Sequence, residues 1–143
     1  MAGIVVGVDG SPHSQNALNW ALAESAFRQV PVTVLAVAPA PASIWGITGG
    51  LPPTDETLHR VRHAAEEMVD KSVAHSGGQP VTVQAVSGVP ADEVIKASED
   101  ADMVVLGARG TGGFKRLSMG SVSSQVSRHA HSPVVVVPGE HAR

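Results

Sequence analysis

Short runs of apolar, mostly β-branched residues recur along the chain, at residues 4–8 (IVVGV), 32–37 (VTVLAV), 81–86 (VTVQAV), 103–106 (MVVL) and 134–137 (VVVV). Runs this short, bounded by glycine, proline, serine and aspartate, are the mark of strands buried on both faces. Between them the pattern changes to one with apolar positions three and four residues apart. A helix is predicted from about residue 14 to 29. A second begins at Thr54, with Leu58, Val61, Ala65, Met68 and Ser72 on one stripe, Asp55 and Glu56 in its first turn, and Gly77-Gly78 as its stop. Residues 90–99 (PADEVIKASE) start with proline and place acids in the first turn, which predicts a third helix, and residues 121–131 form a fourth.

Strand and helix thus alternate throughout, and right-handed crossovers leave a parallel sheet with helices on both faces as the fitting arrangement. The expected fold is a doubly wound five-stranded α/β domain over residues 1–143 with strand order 3-2-1-4-5. In such sheets ligands gather beyond the carboxyl ends of the strands, at the crevice where the order reverses. Here that crevice lies between strands one and four, so the loops after them carry the candidate chemistry. The one long loop is residues 39–53, with four prolines and three glycines. Its Trp45 would lie on the ligand side of the sheet, in a flap, a partner surface or a plain connection.

Composition narrows the function. With 143 residues, 43% of them hydrophobic, the chain has material for one core. No apolar run is long enough to span a membrane. The first residues lack a basic segment and a long apolar stretch, so no cleaved signal is expected and the protein should be cytoplasmic. The absence of cysteine removes disulfides, zinc–thiolate sites and thiol nucleophiles. A net charge of −3 and 3% aromatic content do not suit a nucleic-acid binder. An anionic ligand would have to be held locally, and one region can do it. Residues 103–139 contain no carboxylate but include Arg109, Lys115, Arg116 and Arg128.

That region holds the glycine-rich loop after strand four, Gly107 to Ser121, leading into a helix. Gly107, Gly110, Gly112, Gly113 and Gly120 let backbone N–H groups converge on an anion, and a helix start with Ser121 and Val122 adds unpaired donors. The loop is neither a Walker A sequence nor G-x-G-x-x-G. A flexible connection with solvated basic residues is the plain alternative. The loop after strand one, from Gly7 through Asp9 to Ser11, places a carboxylate where it could accept hydrogen bonds from ribose hydroxyls, or where it could simply shape a turn.

These residues resemble the ATP-binding branch of the universal stress proteins, whose loop reads G-x2-G-x9-G-[S/T]. Gly107, Gly110, Gly120 and Ser121 satisfy it. The likeness runs nearly end to end, through IVVGVDGSP, GVPADEVI, ADMVVLGARGTGGF and GSVSSQVSRHAHSPVVVVP. Ser118-Met119 departs from it, because leucines are commoner there. The resemblance implies that Asp9 contacts the ribose, that Val37 and Leu106 flank adenine, and that the loop glycines with Ser121 and Val122 hold the phosphates of ATP. Gly7 and Arg109 complete the candidate set. The resemblance also implies a homodimer through Val134–Val137, which as an exposed edge bounded by prolines suits a closed two-fold contact.

Other candidates carry less. Asp9, Ser11 and His13 are too close in sequence for a catalytic triad, and no nucleophile elbow is present. His59 and His63 are four apart on a helix without a third metal ligand. His129 and His131 suit a helix C-terminus. Met68, Trp20 and Phe27 are expected in the core. The leading expectation is a dimeric ATP-binding regulator of stress response with an unidentified protein partner and with Mg²⁺ carried on the triphosphate. The alternatives are a slow ATPase or autophosphorylating enzyme using a hydroxyl such as Ser121 or Ser123, and a dimerising module without a nucleotide.

Overall fold

The computed structural model describes residues 3–39, 55–72, 78–108 and 121–138. Its elements alternate as β1 (Ile4–Val8), α1 (Pro12–Arg28), β2 (Val32–Pro39), α2 (Asp55–Ser72), β3 (Val81–Gly88), α3 (Pro90–Ser98), β4 (Met103–Gly107), α4 (Ser121–His129) and β5 (Val134–Val137). The five strands form one parallel sheet in the order β3-β2-β1-β4-β5, the order expected from the sequence.

Alternation along each strand divides the core in two. Ile4, Val6 and Val8 of β1, with Val32, Val34, Met103 and Val105, point to the side covered by Ala17, Leu18, Ala21 and Leu22 of α1 and by Ala65 and Met68 of α2. Val5, Leu35, Val104 and Leu106 point the other way, onto Ala91 and Val94 of α3 and Val126 of α4. Each fully buried Val, Leu or Ile side chain among them contributes ~1.5–3 kcal/mol of transfer free energy, so both layers hold the sheet.

Several boundaries move from the expected ones for local reasons. α1 starts at Pro12 because Ser11 caps it, its side chain accepting from the Ser14 N–H, and proline at the first position needs no N–H partner. The helix ends at Gln29, whose φ of 58° turns the chain toward β2. β2 and β3 run on to Pro39 and Gly88 because they pair with each other over that whole length. α4 ends at His129, two residues early, and the Ala130 N–H still bonds the Val126 carbonyl.

Two expected core residues are outside it. Met68 is buried, but Phe27 is 84% exposed and Trp20 37%. The buried stripe of α1 is Ser14, Ala17, Leu18, Ala21, Leu22 and Ser25. At about 100° per residue, Trp20 and Phe27 fall well away from the centre of that stripe. The seam between α1 and α2 is polar. Gln15 Nε2 donates to Ser72 Oγ at 2.6 Å and to the Met68 carbonyl at 3.3 Å, while Ser72 Oγ donates to Asn19 Oδ1.

Candidate functional site

The strand order reverses between β1 and β4, so the chain leaves these two neighbours in opposite directions and opens a crevice at their carboxyl ends. The turn after β1 is tightly bonded. Asp9 Oδ1 accepts from the Ser11 N–H at 2.9 Å, the Asp9 N–H donates to Ser14 Oγ at 3.3 Å, and Ser14 Oγ donates to the Ser11 carbonyl at 3.0 Å. Gly10, at φ +85°, supplies the bend between them. Asp9 therefore shapes the turn, and its side chain is exposed at the crevice. Ser11 Oγ accepts from the Ser14 N–H at 3.2 Å, and His13 Nδ1 has no hydrogen-bond partner among the described residues, so no nucleophile–base pair forms through that nitrogen.

Across the crevice, Gly107 ends β4 against the first turn of α1. A Cβ there would lie 2.7 Å from the His13 carbonyl carbon and 2.8 Å from its oxygen. Only glycine permits that approach. Composition did not single out His13 as a neighbour of this site; its Nδ1 is buried with no hydrogen-bond partner among the described residues. The chain beyond Gly107 stays in register with β5 through the Ala108 N–H bonded to the Val137 carbonyl at 2.9 Å. Ser123, 2% exposed, donates from Oγ to the Ala108 carbonyl at 3.3 Å, which ties the first turn of α4 to the end of β4. That burial removes Ser123 as an accessible phosphate acceptor, whereas Ser121 is exposed at the start of α4.

The floor on the α3/α4 side is apolar. Val37 and Val122, both half-buried, pack against the cluster that contains Leu106. Gly7 lies under it: a Cβ on Gly7 would come within 2.8 Å of Leu106 Cδ2, so its absence lets Leu106 lie over β1.

The model of the Universal stress protein family matches residues 2–138. The chain belongs to the universal stress protein family. Among its relatives, universal stress protein Rv2005c of Mycobacterium tuberculosis is 34% identical over 145 residues, covering 98% of this chain and 49% of that protein. This universal stress protein thus spans about half the length of the curated relatives it matches. Among solved structures, hypothetical protein MJ0577 superposes with a TM-score of 0.79 over 99% of both chains at 22% identity, a likeness of fold. The universal stress protein from Archaeoglobus fulgidus in complex with dAMP superposes with a TM-score of 0.66 at 25% identity, over 96% of this chain and 98% of that one.

In this universal stress protein the fold brings Gly7, Asp9, Val37, Leu106, Gly107, Ser121 and Val122 to the carboxyl end of the sheet or the start of α4. Arg109, Gly110, Gly112, Gly113 and Gly120 lie outside the described residues, as do Trp45, Lys115 and Arg116. His59 and His63 are exposed on α2, with His63 Nε2 3.9 Å from Glu67 Oε1. Among the described residues no group of three or more metal-ligating side chains converges. No helix among them is long and apolar enough to cross a membrane.

Proposed function

We propose that this universal stress protein binds ATP in the crevice between the ends of β1 and β4 and acts as a dimeric, nucleotide-dependent regulator in the cytoplasm. The observation that carries the reading is a set of groups converging at one sheet end: the Asp9 carboxylate, the apolar floor of Val37, Leu106 and Val122, and the α4 N-terminus. That donor set fits an adenine nucleotide. A flat apolar surface accepts the base, a carboxylate accepts from ribose hydroxyls, and helix-start N–H groups suit an anion. Support also comes from the dAMP complex of the Archaeoglobus fulgidus relative.

In this reading Asp9 orients the sugar, Val37 and Leu106 flank the base, and the phosphates meet Gly107, Gly110, Gly112, Gly113, Gly120, Ser121 and Val122, with Arg109 offsetting charge. Mg²⁺ is carried by the triphosphate oxygens. Gly7 acts indirectly, by setting the position of Leu106. Binding, with no turnover, is the function assigned, because phosphoryl transfer needs a positioned nucleophile or water, and Asp9 already supports its own turn. The regulatory output passes to a protein partner recognised in the nucleotide-bound state.

Dimerisation is assigned to β5. The Pro133 and Val137 carbonyls accept from Val104 and Ala108 of the β4 side, so the intervening Val134 and Val136 turn their N–H and C=O groups to the open edge. A second copy related by a two-fold axis would pair there antiparallel, with Pro133 and Pro138 limiting the length.

Incubation with labelled ATP tests the function. Retention of one intact ATP per chain supports it. Multiple-turnover release of ADP, abolished by Asp9→Ala, would replace the binder with an enzyme, and no retention would leave a module without nucleotide.

A further inference from the structure

The β5 edge is small for the interface assigned to it. Four residues at a strand's rise span only ~13 Å, between Pro133 and Pro138, whereas a stable two-fold contact covers about 800 Å² on each partner. Side chains beside the strand have to supply the rest. On the α1 face of the sheet the nearest are Val135 and Val137, which pack against the core cluster under α1 and α2 yet stay only half-buried.

A large aromatic side chain stands next to them. Among the described residues the exposed large hydrophobics are Trp20, Phe27 and Val89, and the first two belong to α1. The chain has two tryptophans and two phenylalanines in all, so exposed aromatic surface is scarce, and the centres of protein interfaces concentrate it. Sheet order fixes the direction in which Trp20 lies. α2 covers β2 and β3, whereas α1 covers β1 and β4 and reaches β5. Gln15 and Asn19 meet α2 through Ser72. At about 100° per residue, Trp20 is carried past them, outward and onto the flank away from α2, which is the β5 side.

Height agrees as well. α1 runs from the carboxyl end of the sheet, where His13 meets Gly107, to the amino end, where the chain turns into β2, and Trp20 falls midway along it. Val135 falls near the middle of β5, level with Val105 and Val6 of the strands under α1. A two-fold axis through the middle of β5 sets the two α1 helices antiparallel on one face of the joined sheet, the middle of each opposite the middle of the other. Centred between β1 and β4, they stand four strand spacings or ~19 Å apart. Helices ~10 Å across leave a gap of about 9 Å, which small side chains cannot bridge and two indole rings can. Phe27 shares the phase of Trp20 but lies ~10 Å nearer the amino end, away from its own copy.

We propose that the two-fold interface extends from β5 onto α1, with Trp20 of each copy covering Val135 and Val137 at the seam and meeting its counterpart across the axis. The occupant of this face is a second copy of the chain. The proposal rests on the β5 reading for the position of the axis.

Sedimentation of the full chain across a dilution series tests it, beside the emission of a Trp45→Phe chain, in which Trp20 is the remaining tryptophan. Trp20→Ser should raise the dimer dissociation constant roughly tenfold or more with native far-UV dichroism, and Phe27→Ser should leave it unchanged. In the Trp45→Phe chain, emission should shift to the blue and resist acrylamide as the dimer forms, and with Val136→Pro added it should stay red and quenchable. That emission reads the intact residue even where Trp20→Ser fails to fold. A dimer that Val136→Pro dissociates and Trp20→Ser leaves alone, with emission unchanged by dilution, overturns this proposal and spares β5. Equal weakening by Phe27→Ser overturns Trp20 as the specific contact. A dimer broken by Trp20→Ser but not by Val136→Pro overturns the β5 axis and the joint interface with it. Shielded emission in the Val136→Pro chain at every dilution overturns a second copy as the occupant. Wild-type protein that stays monomeric overturns the β5 reading and this proposal together.

Discussion

Gly107 and His13 approach so closely that the absent side chain of one is space taken by the backbone of the other: a Cβ on Gly107 would lie 2.7 Å from the His13 carbonyl carbon. This contact packs the end of β4 against the first turn of α1, beside the crevice between β1 and β4. Gly107→Ala must push the first turn of α1 away, at ~1–3 kcal/mol of overpacking, and the site should loosen with it. Gly7→Ala presses on the side chain Leu106 Cδ2, which can rotate, so its cost should be the smaller of the two. Urea unfolding of both variants, with ATP titration, checks the order.

Asp9 has two tasks that substitution can separate. Asp9→Ala removes the acceptor of the Ser11 N–H and should cost ~1 kcal/mol of stability. Asp9→Asn keeps a carbonyl oxygen for that bond but loses the charge that strengthens hydrogen bonds from ribose. It should retain near wild-type stability and lose roughly tenfold in ATP affinity. Calorimetric titration beside thermal unfolding distinguishes them; equal ATP affinity in all three proteins would remove Asp9 from the site.

The polar seam between α1 and α2 should behave as a unit. Ser72→Ala leaves Gln15 and Asn19 facing a methyl group in place of their shared hydroxyl, and the expected loss is ~1–3 kcal/mol. The Gln15–Ser72 bond is already lost in either single variant, so Gln15→Leu combined with Ser72→Ala should cost less than the sum of the two. Denaturant midpoints of the single and double variants measure the coupling.

Pairing through β5 predicts that Val136→Pro by itself gives a monomer with an intact fold, since the Val136 N–H faces outward and β4 does not use it. Sedimentation at matched concentrations checks this.

Much of the fold was legible in the sequence because both-face burial leaves continuous apolar runs. Ile4–Val8 and Val134–Val137 match their expected bounds. Hydrophobicity reports burial, however, whereas an element's end reports hydrogen bonding. β2 and β3 outlast their apolar runs because backbone pairing continues through Pro39 and Gly88. Trp20 and Phe27 lie outside the core because helical phase, and not aromatic character, decides which face of α1 is buried; Ala17, Ala21 and Ser25 on the buried stripe let α1 lie close to the sheet. At the candidate site, Asp9 and the glycines stood out by position after strands. The Ser11–Ser14 lock and the Ser123–Ala108 tie were not legible, since serine is as common in turns and caps as in such links.

The most direct test of nucleotide binding is native mass spectrometry of the freshly purified chain, alone and with added ATP, beside Gly110→Val and Gly120→Val. The account predicts one ATP mass per wild-type chain and none in either variant, with all three showing the same far-UV dichroism. Absence of the adduct from wild-type protein, or its persistence in both variants, would contradict it.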